Sequence, residues 1–317
     1  MKIEDLGEFF MGQRGLEKIS ALSQKLYTQI RQECENELGC EFSYYHPGMA
    51  LLGKREALKK LYWMSEAPDV ESRPEALELY RKAIETESDF LSALHFDSPF
   101  KNRRIATGCS TDTRAFYERM REAKQFLLTS HPLLAKRYSA LVYSIVPLEA
   151  LEDSNDRTGV SGTHRSGASS KLLRGAILHV LPCFPEIEFW KIDLAVDYAH
   201  EVGHQALDVY LAADRILSSP YEEPVYSPIR KVNRPAIMSL HANAALAYIV
   251  EAILYFRNRQ DLSDSEQDYL LSEHKKFLTD INDGIAAMED SSVRWTPLGQ
   301  LIFDELRTTR DLTERLC

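Results

Sequence analysis

The stretch DLAVDYAHEVGHQALDVYLAADRI, residues 193–216, has apolar residues at three- and four-residue spacing and no proline, so it reads as a helix, with Asp193 placed to cap its start. Within it His200 and His204 stand one turn apart. Residues four positions apart on a helix are offset by only about 40°, so both imidazoles leave the same side and can grip a single ion. Glu201 lies next to them without being a natural ligand; in zinc hydrolases this position takes a proton from metal-bound water. Val196, Gly203, Leu207 and Leu211 share the histidine stripe, which turns the pair inward. Two inward histidines without an ion would need several polar partners, so a metal site is the expectation.

A third ligand has to come from another element. His241 lies on the very apolar stretch 235–258, on a stripe with Ile237, Ala244 or Ala245, Tyr248 and Ala252, again an inward face with small residues that admit a second helix. A lone histidine on such a face is as readily structural. Glu251 on the same helix competes for the role, since many zinc enzymes of this type take a glutamate from a second helix. Between the two helices runs YSPIRKVNRP, residues 226–235. Arginine offers a planar fork that holds a carboxylate through two parallel hydrogen bonds, so Arg230 or Arg234 could seat a carboxylate beside an ion. Arg234 stands seven residues before His241, about two turns back on a similar face. Pairing of both arginines with Glu222 and Glu223 is the plainer alternative.

The rest of the chain reads as mostly α with a small β-sheet, an α+β arrangement in which the HExxH helix packs on a second apolar helix around a mononuclear metal. Helical spacing covers 14–37, 52–64, 74–94 and 113–130, and after the motif helix 235–258, 264–288 and 297–314. Pro235 suits a first helical turn, and Thr296-Pro297 opens the last helix. Residues 139–146 and 175–181 are short, apolar and partly β-branched, and are expected to pair as strands. Residues 151–171, rich in Ser, Gly, Asp and Thr, read as a mobile loop that could act as a lid. The division expected is a helical N-terminal region, 1–134, and a metal-binding region with C-terminal helices, 135–317, packed as one unit.

Bulk properties narrow the function. The net charge of −10 opposes binding to polyanions, so nucleic acid is not an expected partner, and the basic run Lys101, Arg103, Arg104 reads as a solvated turn. Five cysteines, Cys34, Cys40, Cys109, Cys183 and Cys317, form no C-x-x-C pair and read as packing residues of a reducing compartment. The acidic start lacks the features of a signal peptide, and no stretch reads as a membrane span, so the expected location is the cytoplasm. Of the other histidines, His46 and His131 precede prolines and read as turn residues, His95 and His274 follow helical surface patterns, and His164 falls in the Ser/Gly loop.

The ordered set AHEVGHQ (199–205), PVYSPIRKVNRP (224–235) and SLHA (239–242) resembles the HExxH-motif peptide-modification proteins of ribosomal-peptide biosynthesis, over roughly residues 135–258. The resemblance implies an iron(II)- and 2-oxoglutarate-dependent oxygenase that hydroxylates a side chain of a precursor peptide. It implies further that His200, His204 and His241 bind Fe(II) and that Arg230 or Arg234 binds the 2-oxoglutarate carboxylate. Glu201 would then tune the ligands. Three histidines depart from the familiar two-histidine, one-carboxylate triad, and imidazole suits iron and zinc alike. A zinc metallopeptidase with Glu201 as general base, and His179 or Tyr226 as oxyanion donor, is the competing enzyme. A helical interaction protein with a structural ion is a third reading.

Overall fold

The computed structural model describes residues 7–42, 45–50, 103–105, 111–150, 167–169, 173–180, 188–227 and 229–316, together with residue 81. The helices expected at 52–64 and, apart from residue 81, at 74–94, most of the expected loop 151–171, and residues Lys101, Cys109, Cys183, Cys317, His95 and His164 lie outside the described residues. The elements are α1 (Gly12–Leu38), a short 3-10 turn (Pro47–Ala50), β1 (Arg103–Ile105), α2 (Thr111–Ser130), α3 (Pro132–Leu141), β2 (Ser144–Ala150), β3 (Gly167–Ser169) and β4 (Ala176–Val180). These are followed by α4 (Trp190–Ala213), β5 (Pro224–Ser227), β6 (Val232–Pro235), α5 (Ala236–Arg257), α6 (Asp264–Glu289) and α7 (Pro297–Arg315). The fold is therefore mostly α with small sheets. The chain forms two compact units, neither of them a continuous stretch: one comprises Met1–Gln24, Lys124–Leu141 and Ala195–Cys317, the other Lys25–Ala123 and Val142–Leu194.

The second of these units holds a four-stranded sheet of order β1-β2-β4-β3. β2 and β4 run parallel, Ser144 opposite Ala176 and Ile145 opposite Ile177, and the apolar residues Ile145, Val146, Leu148, Ile177 and Leu178 are buried. The pairing expected from the sequence is present, but β2 starts later. Residues 139–141 belong to α3, because Pro132 can open a helix, the His131 ring accepts from the Leu133 N–H at 3.2 Å, and Leu133, Leu134, Tyr138 and Leu141 bury on a helical period. Two strands were not legible. Arg103–Ile105, read as a turn, pairs antiparallel with β2, and Gly167–Ser169, read as loop, pairs with β4. Backbone pairing captures polar or glycine-containing residues whose own pattern carries no strand signal.

In the first unit α5 is apolar on every side, and from Ser239 to Phe256 all its residues but His241 are buried. By length and hydropathy α5 is apolar enough to cross a membrane, contrary to the sequence reading, although 83% of its most apolar window is buried within the molecule. It packs against α6, where Asn243 donates to the Gly284 carbonyl at 3.1 Å. Helix ends follow their chemistry. Ser263 and Glu266 form a reciprocal capping box on α6, and Thr296 accepts from Gly299 N–H on α7 with Pro297 behind it. At α4 the helix begins earlier than expected, at Trp190, so Asp193 sits in its first turn instead of capping it; Pro235 takes the cap position of α5. His274, read as a surface residue, is fully buried on α6 and faces Arg257, with Nη1 3.0 Å from its Nδ1.

Polar anchors fix residues 8–11 in this unit. The Glu305 carboxylate on α7 accepts from four successive N–H groups, Glu8 to Met11, at 2.7–2.9 Å, just before α1. Four donors converging on one anion satisfy the amides of the turn that leads into α1, which no helix or strand ladder pairs. Tyr248 of α5 donates to the Phe10 carbonyl at 3.1 Å.

Candidate metal centre

The site forms where α4 and α5 approach at their backbones. A Cβ on Gly203 would stand 2.8 Å from Ala245 Cα and 3.0 Å from Ala244 O, so glycine on one helix and alanines on the other set the crossing. That approach brings the histidine stripe of α4 against the first half of α5. His200 and His204 point together, their Nε2 atoms 2.9 Å apart and their ring centroids at 4.7 Å. Ligand atoms of His200, Glu201 and His204 all lie within 4.8 Å of one another. Glu201 is buried, while both histidines keep partial exposure, so the pair is open on one side.

The expected third ligand, His241, stands beside this set without entering it. Its ring centroid is 5.5 Å from that of His204, and its Nε2 lies 3.6 Å from Asp208 Oδ1. Asp208, one turn beyond His204 on α4 and 5% exposed, was not singled out from the sequence. The signal was present as His200, His204 and Asp208 at steps of four.

Of the two arginines, the fold brings Arg234 to the site and leaves Arg230 outside. β5 and β6 form a hairpin, with Val225 opposite Arg234, and its root is tied to α5 by Ser239 Oγ donating to Val225 O at 3.2 Å and Ala236 N–H donating to Glu223 O at 2.7 Å. Arg234, at the hairpin root, is half-buried, points Nη2 toward Met238 Sδ at 3.6 Å and acts electrostatically on His204. Arg230 lies in the exposed turn at the hairpin tip, next to Lys231 at φ 55°. The competing ligand Glu251 is committed elsewhere. Its carboxylate pairs with Arg137 of α3, both side chains at most 1% exposed, and that guanidinium also lies 4.5 Å from the Tyr248 ring. Glu251 lies ten residues beyond His241, about 15 Å further along the helix.

Burial and nearby positive charge keep the His204 imidazole neutral. The pKa of His204 is lowered to about 3, first by removal of the ring from water and then by His241 and Arg234 beside it. A neutral ring offers the lone pair a metal needs. The residues fit an ion: two nitrogens bound to one metal at ~2.0–2.1 Å and roughly 90° to each other stand about 2.9 Å apart. Of the two oxyanion donors considered, Tyr226 is 44% exposed on β5 and His179 belongs to the other unit, on β4. A groove of about 500 Å³ lined by Tyr226, Asp283 and Asp290, among others, lies along β5 and α6 and contains none of the three histidines. The chain matches no family model and no curated protein sequence.

Proposed function

We propose that the protein is an iron(II)- and 2-oxoglutarate-dependent oxygenase that hydroxylates a side chain of a ribosomally made precursor peptide, with His200, His204 and His241 as metal ligands. The observation that carries the metal reading is the 2.9 Å convergence of His200 and His204 Nε2 with a third imidazole alongside. A hydrogen bond between two neutral rings gives the same separation. What favours an ion is that the Glu201 carboxylate gathers with the pair and a third ring stands next to it, with both histidines partly accessible. Iron, when bound, would supply oxygen activation toward an unactivated C–H bond.

The remaining work falls to the chain's own side chains. Arg234, whose charge acts on His204, would hold a carboxylate of 2-oxoglutarate and offset one of the co-substrate's two negative charges. Glu201, buried against both histidines, would hold and orient the rings in this reading instead of moving a proton. A second reading is kept by that same residue: a carboxylate next to the ligand pair is what a zinc peptidase uses to take a proton from a metal-bound water.

The two separate in one assay. Anaerobically iron-loaded protein given 2-oxoglutarate and oxygen is expected to form succinate, and with its peptide a product heavier by one oxygen atom. Arg234→Ala should raise the KM for 2-oxoglutarate by about 10-fold or more, the loss of a charge-assisted pair, while Arg230→Ala leaves it unchanged. Metal-dependent peptide cleavage without 2-oxoglutarate consumption would instead establish the peptidase.

A further inference from the structure

We infer that Asp208 is a positioning residue of the metal centre, its carboxylate holding the Nε2 edge of His241 so that Nδ1 is the nitrogen left for an ion. The inference rests on the metal reading above. Three observations meet in it. His241 Nε2 and Asp208 Oδ1 face each other at 3.6 Å, just outside hydrogen-bond length. Asp208 is 5% exposed on a turn of α4 that is buried all round, its chain neighbours Leu207 and Val209 included, where a carboxylate is costly without a cationic or donor partner. And the His241 ring stands between two residues one turn apart on α4, its centroid 5.5 Å from that of His204 and its Nε2 facing Asp208.

Asp208 is not itself a fourth ligand to the same ion. From His200 it is eight residues along one straight helix, about 12 Å of rise, whereas His200, Glu201 and His204 gather their ligand atoms within 4.8 Å. A histidine that binds metal through one nitrogen has the other free to donate, and a carboxylate on that N–H fixes the tautomer and the ring plane and raises the basicity of the binding nitrogen. With Nδ1 engaged, the Nε2–H becomes a stronger donor and Asp208 a closer partner. His200 and His204 present Nε2 and His241 presents Nδ1, a mixed set that the sequence spacing alone does not announce.

Cobalt(II) is the probe, titrated into the full-length apo chain against a chromophoric chelator, with folding checked by near-ultraviolet circular dichroism. Asp208→Asn and Asp208→Ala should weaken cobalt binding by about 10- to 100-fold, and Asp208→Glu should recover part of the loss. In a His241→Ala background Asp208→Asn should add nothing, since Asp208 acts through that ring; a purely structural carboxylate gives additive losses. Wild-type-like affinity in the Asp208 variants, or additive losses, would overturn the inference while leaving the metal reading intact. Equal, weak cobalt binding by wild type and His200→Ala would overturn the metal reading and this inference with it. Should an Asp208 variant fail to fold, the wild-type cobalt form still decides. A paramagnetically shifted ring N–H of His241 that exchanges slowly with water supports the contact, and rapid loss of that signal refutes it.

Discussion

His241 and Glu251 lie on one helix and have opposite fates. His241 meets His204 and Asp208, while Glu251 is closed in a buried pair with Arg137. The choice between them could not be made from the sequence, because the residue that decides it lies 114 positions from Glu251. What was legible was the local spacing: His200 and His204 four apart, with Glu201 beside them. Long-range partners were not, and the same holds for His274, whose neighbours on α6 look polar while Arg257 of α5 receives it in the interior. Glu251→Ala is therefore expected to strand a buried guanidinium and cost about 3–5 kcal/mol of stability, whereas the double change Arg137→Met with Glu251→Leu should cost far less. Urea unfolding of both reads the difference. Loss of metal from Glu251→Ala with unchanged stability would return Glu251 to the ligand set.

At the scale of elements, Gly203 matters as much as the histidines that flank it. It lets α4 lie on Ala244 and Ala245, and that approach decides how far His204 stands from His241. Helices, and the α4–α5 pairing, followed from apolar periodicity, which depends on residues close in the chain. Strands β1 and β3 did not, since their own three residues carry no apolar alternation and the pairing is supplied by β2 and β4. Gly203→Ala puts a methyl group at 2.8 Å from a backbone atom, so one helix must move. We expect about 1–3 kcal/mol of destabilisation together with weaker cobalt binding, although no ligand is altered. Undiminished affinity would mean that the crossing does not set the site.

For the whole molecule, pH is the lever. His274 has its pKa lowered to about 4, by burial and then by Arg257, and burial lowers that of His46 to about 4 as well. Both rings are neutral in the fold. Above pH 6.5 they are neutral unfolded too and nothing is lost; as pH falls from 6.5 toward 4 the unfolded chain takes up protons that the folded chain refuses, so stability drops, by up to about 3 kcal/mol per ring. Melting temperatures at pH 7.5 and 5 should fall accordingly, and His274→Gln should show a smaller fall than wild type. A pH-independent melting temperature would mean that these rings are protonated in the native state.

The central claim is that two imidazoles one turn apart share an ion. Metal analysis by mass spectrometry on the purified chain, equilibrated anaerobically with Fe(II) and freed of excess, tests it most directly. One ion per chain is expected in the wild type and essentially none in His200→Ala or His204→Ala. A wild type without bound metal, or single variants that keep it in full, would mean that His200 and His204 hold no ion.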